Sequence, residues 1–171
     1  MKPVLLISAP QIKKKVDQLA GDISRDHPRG VVAIGILKGS FVFLADLIRK
    51  LSIPVVCDFI MVSSYEKAES RGEVRLLLDL STSLQGKHVL LVEDIIDTGL
   101  TIDYLKKVLL SHKPRSLKVC SLLDKPSRRK IHLDVDYVGF AIPDRFVVGY
   151  GIDYDEQYRN LPYVAYVEGV R

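Results

Sequence analysis

The sequence predicts an α/β protein with a mainly parallel central sheet flanked by helices. Three observations predict it. Short runs of Val, Ile and Leu recur along the chain, stretches with apolar residues at helical spacing lie between several of them, and the central runs are apolar throughout. A strand covered on both faces needs such an unbroken run, and alternation of strands with helices is the pattern of a parallel sheet.

The elements follow in order. "PQIKKKVDQLAGDI" (10–23) makes an amphipathic helix, and "VVAIGI" (31–36) a buried strand. "FVFLADLIRKL" (41–51) returns to helical spacing, with Ser40 standing where an N-cap belongs. Strands are expected at "VVCDFIMV" (55–62), "EVRLLLDL" (73–80), "HVLLVE" (88–93) and "SLKVCSLLD" (116–124), with a short helix at 101–111 between the last two. After Lys125 the pattern changes to shorter strands and turns, in "YVGFAI" and "RFVVGYGID", which reads as an appendage over the main sheet. The polar stretch "SSYEKAESRG" (63–72) sits between two apolar strands, as a hairpin loop or as a lid over a site.

The 171 residues suit one domain with a real core, and 47% apolar content excludes a disordered chain. No apolar run approaches a membrane span. In "MKPVLLISAP" only four apolar residues follow the lysine and proline before Ser8, too few for the core of a signal peptide. Cys57 and Cys120 each lie in an apolar run and are expected to be buried free thiols, which fits a cytoplasmic protein. The net charge is +4 and the pI about 9.0, compatible with an anionic substrate or with nucleic acid. The four histidines are scattered without ligand-like spacing, so no zinc site is indicated. Basic clusters occur at 13–15 and in "KPSRRK" (125–130), the first read as a solvated face.

The chemistry concentrates in "HVLLVEDIIDTGLT" (88–101), where a buried strand runs into a helix and Glu93, Asp94 and Asp97 fall within five positions. Ligands of open α/β sheets sit beyond the carboxyl ends of the strands, which is where Glu93 and Asp94 stand. Gly99 permits a tight turn, Thr98 and Thr101 offer hydroxyls, and the helix start offers free N–H groups; together these bind phosphate. The acids precede the turn and can hold hydroxyls or a divalent cation beside it. A sugar phosphate satisfies both halves. The chain has neither G-x-x-x-x-G-K-[ST] nor G-x-G-x-x-G, so a P-loop and a dinucleotide site are unsupported. An aspartyl-phosphate receiver would not need the Thr-Gly-x-Thr turn. Helix-capping by acids explains one carboxylate, not three with a turn.

The stretch resembles the signature of type I phosphoribosyltransferases that binds phosphoribosyl pyrophosphate (PRPP). Further segments resemble the hypoxanthine-guanine branch of that family: "LKGS" (37–40) its pyrophosphate loop, "SSY" (63–65) the start of its catalytic loop, and "SLLDKPSRR" (121–129) with "VGFAIPDRFVVGYGIDYDEQYRNLPYV" (138–164) its purine-binding segments. The resemblance implies a single phosphoribosyltransferase domain over 1–171, with a core of about 25–125 and a hood over the carboxyl edge from about 126–171 together with the N-terminal segment. It implies that Glu93 and Asp94 hold the ribose hydroxyls, in part through Mg2+. The 5′-phosphate would lie in the turn Asp97, Thr98, Gly99, Leu100 and Thr101, with Asp97 as general acid/base at purine N7. Lys38, Gly39 and Arg159 would contact pyrophosphate, Asp153 a second Mg2+, and Ser64 and Tyr65 would belong to the lid. Lys125 would donate to O6 of the purine, Phe146 would stack on the base and the Val147 backbone would pair with its edge. Leu100 departs from relatives with a lysine inside the turn, which removes a positive charge beside the phosphate. Taken singly, Lys125 reads as a solvated charge, Phe146 as core and Asp153 as a turn residue.

The implied reaction is displacement of pyrophosphate from C1′ of PRPP by a 6-oxopurine, hypoxanthine or guanine, to give IMP or GMP. Carboxylates suit the positive charge that grows on the ribose, and a lid suits the exclusion of water. A different class is a regulator of the same fold that binds PRPP or nucleotide and attaches to RNA or DNA. The basic run 125–130 lacks interleaved aromatics and no helix-turn-helix pattern precedes the domain, which argues against nucleic-acid binding. The choice among hypoxanthine, guanine and xanthine stays open. A homodimer or homotetramer is implied by the resemblance alone.

Overall fold

The protein is seen here as a computed structural model that describes residues 2–64 and 74–169. Nine strands and three helices follow in the order β1 (Pro3–Ile7), α1 (Ala9–Asp26), β2 (Val31–Leu37), α2 (Phe41–Ile48), β3 (Val55–Ser64), β4 (Val74–Leu78), β5 (His88–Ile96), α3 (Leu100–Ser111), β6 (Ser116–Asp124), β7 (Tyr137–Ala141), β8 (Val147–Val148) and β9 (Val164–Val167) among the described residues.

Six strands form one sheet in the order β4-β3-β2-β5-β6-β7. All neighbours in it are parallel except β3 and β4, so the mainly parallel sheet expected from the sequence is present. Its middle strands are the unbroken apolar runs: Val31–Ile36 of β2 and Val89–Val92 of β5 are buried on both faces. Helix α1 buries Ile12, Val16, Leu19, Ala20 and Ile23 as one stripe. Its start is tied by the Ser8 amide donating to the Gln11 side chain at 2.9 Å. With α2 it covers one face of the sheet, while α3 packs Ile102, Leu105 and Leu109 on the other.

Two local expectations are corrected. Ser40 precedes α2 but does not cap it: its backbone is already right-handed helical, and its buried hydroxyl donates back to the Ile36 carbonyl at 2.7 Å. Cys57 is exposed while Cys120 is buried. Strand β4 pairs only from Met61 onward, so the first half of β3 is an open edge and the apolar run around Cys57 is uncovered there.

A second sheet, β1-β9-β8, is wholly antiparallel and joins the N-terminal segment to the last described strand, Pro3 facing Val167. Strand β7 lies in the main sheet, beyond the boundary near residue 125 that the change of pattern suggested. It is short and edge-placed, with exposed Val138 and Ala141 alternating with buried Tyr137 and Gly139, so it lacks the unbroken apolar signature of the inner strands. No helix among the described residues is long and apolar enough to cross a membrane.

Candidate active site

The carboxyl ends of β2 and β5 meet at one place, and the acidic loop is there. Strand β5 runs three residues further than the expected 88–93, through Asp94 and Ile95 to Ile96, and both Glu93 and Asp94 are buried. Among the described residues neither is ion-paired. Burial, followed by the hydrogen bond and negative charge of Asp94, pushes the Glu93 carboxyl well above the usual carboxylate range. Together they line a cavity of about 250 Å3 with Leu37, Thr98, Gly99 and Thr101.

Gly99 caps α3 with a φ of +86°, a conformation that costs glycine nothing. A side chain there would also press on Ile131 and Leu133 at 3.3 and 3.4 Å. The turn therefore delivers the first amides of α3 and the Thr98 and Thr101 side chains to the same cavity. Exposed Leu100 supplies no charge to the turn, so an anion here would rely on backbone and hydroxyl donors.

Asp97 is held from the other side. Its Oδ1 accepts from Arg128 Nε at 3.0 Å and its carbonyl from Arg129 at 2.8 Å, and the carboxylate keeps 39% of its surface open. Arg129 also pairs with Asp124. Arg128 lies 3.5 Å from Asp144, which in turn lies 4.0 Å from the buried ammonium of Lys125. A charge chain thus links Asp97 to Lys125 through Arg128 and Asp144. Sequence reasoning missed Arg128, Arg129 and Asp144; the signal available was the acid–base alternation of "DKPSRR" around a strand end. This basic run is an internal clamp on the turn as well as a surface.

The loop after β2 abuts Asp94. Its Leu37–Lys38 peptide is cis. Gly39 rests on Asp94, and a Cβ at Gly39 would fall 2.6 Å from the Asp94 carboxyl carbon. Gly151, at φ +103°, lies against the Gly39 carbonyl. Lys38 pairs with Glu156 at 3.1 Å, Glu156 with Arg159 at 3.2 Å, and Arg159 with Asp153 at 2.9 Å. Arg159 also donates to the Gly151 carbonyl at 2.9 Å. Lys38, Gly39, Asp153 and Arg159 are therefore brought together, with Glu156 as a member that the sequence did not single out. Both Asp153 oxygens are engaged, Oδ1 by Arg159 and Oδ2 by the Glu156 amide at 3.0 Å.

Phe146 is half-buried and meets Tyr154 edge-on at 5.4 Å, and its carbonyl accepts from the Val167 amide at 3.1 Å. Val147 is buried in β8 opposite Tyr166. Of the two residues expected in a lid, Ser64 ends β3 and Tyr65 lies outside the described residues. Among the described residues no group of three or more His, Cys, Asp or Glu could hold a metal unaided.

A phosphoribosyl transferase domain model matches residues 6–155. The hypoxanthine-guanine phosphoribosyltransferase of Bacillus subtilis (strain 168) is 47% identical over 163 residues, covering 94% of this chain and 91% of that protein. The hypoxanthine phosphoribosyltransferase of Escherichia coli (strain K12) is 44% identical over 167 residues, covering 95% and 94%. The crystal structure of a hypoxanthine-guanine phosphoribosyltransferase from Bacillus anthracis with HEPES in its active site aligns with a TM-score of 0.92 and 54% identity, covering 95% of this chain and 97% of that one. A likeness of this degree along nearly the whole length means that the chain belongs to the phosphoribosyltransferases, and within them to the hypoxanthine-guanine branch.

Proposed function

We propose that this protein is a purine salvage enzyme that transfers the 5-phosphoribosyl group of PRPP to N9 of hypoxanthine or guanine, giving IMP or GMP and pyrophosphate. The observation that carries the site assignment is the pair of buried carboxylates, Glu93 and Asp94, facing an open cavity rather than a cation, with the Gly99 turn on its far side. Ribose hydroxyls on the acids and the 5′-phosphate on the α3 amides fill that cavity with matched chemistry.

Mg2+ fits the acid pair, since it takes one or two carboxylates and completes its shell with water and substrate oxygens. Bound there, it would supply charge neutralisation for the departing pyrophosphate. Asp153 is engaged with Arg159 and would join a second ion only on leaving that pair. Lys38, the Gly39 backbone and Arg159 receive the pyrophosphate. Asp97, oriented by Arg128, handles the proton at N7. Lys125, a donor only, faces O6 and repels the amino group of adenine. Phe146 covers one face of the base, the Val147 backbone reads its edge, and the segment that begins at Ser64 and Tyr65 excludes water. The enzyme works in the cytoplasm as a dimer or tetramer on this reading. The nucleic-acid-binding regulator has no support from the relatives.

The test is a PRPP and Mg2+ assay against hypoxanthine, guanine, xanthine and adenine, following pyrophosphate release. Turnover of hypoxanthine or guanine far above adenine is expected. Equal rates for all four bases, or none, would overturn the proposal.

A further inference from the structure

At the end of the sheet opposite the acids, β2, β3 and β5 begin around a second cavity, of about 350 Å3. Pro54, Val55 and Val56 form an apolar wall, and Val56 keeps 46% of its surface exposed. Arg29, Lys87 and Arg115 stand on the rim beside His88, and no acidic residue lines the space. None of these three exposed cations has an acidic partner among the described residues, whereas Lys13, Arg25 and Lys107 each hold one within their own helix.

The rim is built rather than loose. The Arg115 amide donates to the Lys87 carbonyl at 2.8 Å, and the Gly86 amide to the Lys113 carbonyl at 3.0 Å, so the two cation-bearing turns are clasped together. Across the mouth, the Val31 amide donates to the Pro54 carbonyl at 3.1 Å. Gly30, at φ +99°, packs so closely on Pro54 that a Cβ would fall 3.1 Å from the Pro54 side chain. Three like charges on the lining of one cavity repel one another, and an anion among them relieves that repulsion. Guanidinium groups are suited to phosphate, and the volume falls in the range of small-ligand sites.

We propose that this cavity is a second ligand site, distinct from the catalytic one, for a nucleoside polyphosphate, with phosphates on Arg29, Lys87 and Arg115 and the apolar body against Pro54 and Val56. Strands β2 and β5 run from it directly to Leu37 and to Glu93 and Asp94, so a ligand there sits on the far ends of the strands that carry the active site.

The experiment is a titration of the 15N-labelled full chain with ATP, tripolyphosphate and inorganic phosphate, read at backbone amides. ATP is expected to shift Gly30, Gly86 and His88 saturably, separately from any shifts at Thr98 and Gly99. In R29Q/K87Q/R115Q the first set should need about tenfold more ATP while the second is unchanged, with catalysis in the absence of added ATP preserved. If that variant does not fold, Lys87→Gln and Arg115→Gln are exposed single changes that should each weaken the same set several-fold. Shifts confined to the catalytic turn, no effect of the substitutions, or saturation only by an RNA oligomer would overturn the site. Equal affinity for ATP, tripolyphosphate and inorganic phosphate would overturn the assignment of a nucleotide.

Discussion

The backbone of Gly39 is seated on the carboxylate of Asp94, with no room for even a methyl group between them. The loop proposed to receive pyrophosphate and the acid proposed to hold ribose are thereby one mechanical unit. Gly39→Ala must push either the loop or the acid aside by about 1 Å, and a displacement of that size at a reacting centre costs on the order of a hundredfold in rate. Steady-state kinetics with PRPP and hypoxanthine should show that loss in kcat/KM, and retention of full activity would separate the two elements.

Glu93 is expected to trade stability for binding. Its folded-state pKa is raised, so the folded state disfavours the charged form. The native protein therefore loses stability as pH rises from the ordinary carboxylate range toward that raised value, and does not regain it above. Glu93→Gln removes this cost. The ligand-free variant should melt a few degrees higher at neutral pH, by about 2–4 °C for each kcal/mol in a chain of this size, and the gain should vanish in acid. PRPP affinity should fall at the same time. A lower melting temperature at neutral pH would mean that the carboxylate is stabilised by something other than substrate.

Asp97→Asn keeps the shape and the Arg128 contact but removes a proton carrier. Turnover should fall by about 10²–10⁴, the usual worth of general acid/base catalysis, while PRPP binding measured by equilibrium titration changes little. Equal losses in both would make Asp97 a binding group only.

Lys125→Ala should relax the preference for a 6-oxo base. The ratio of hypoxanthine to adenine use is expected to fall about tenfold or more, because a buried donor that matches one base and opposes the other is gone. An unchanged ratio would remove Lys125 from the base site.

The site was legible where chemistry is local in sequence. The run from Glu93 to Thr101 carries acids, glycine and hydroxyls within nine positions, so its spacing alone predicts that they gather, and the structure brings Glu93, Asp94, Thr98, Gly99 and Thr101 to one cavity. The inner strands were legible for a similar reason, since burial on both faces leaves an unbroken apolar run. What depends on distant segments was not. The Gly39–Asp94 contact, the Arg128 bridge from Asp97 to Asp144 and the Lys38–Glu156 pair all join residues whose order along the chain says nothing of their approach. The apolar run of β1 is too short to announce a strand by itself, and its partner β9 is the last strand described, so nothing near it in the sequence reveals the pairing. Cys57 was misjudged because an apolar run does not reveal that its strand is open at one edge.

The pairing of β1 with β9 has a consequence for synthesis. Strand β1 is made before every other strand described, yet among the described residues the only strand it bonds is β9, the last of them, and Phe146 is tied to that same strand through Val167. Strands β2 to β6 and helix α3 can assemble while this partner is still unmade, so the half that carries the proposed sugar-phosphate site is finished before the half proposed to cover the purine. A nascent chain halted before β9 would then carry the cavity beside Glu93 and Gly99 already formed under an unfinished roof.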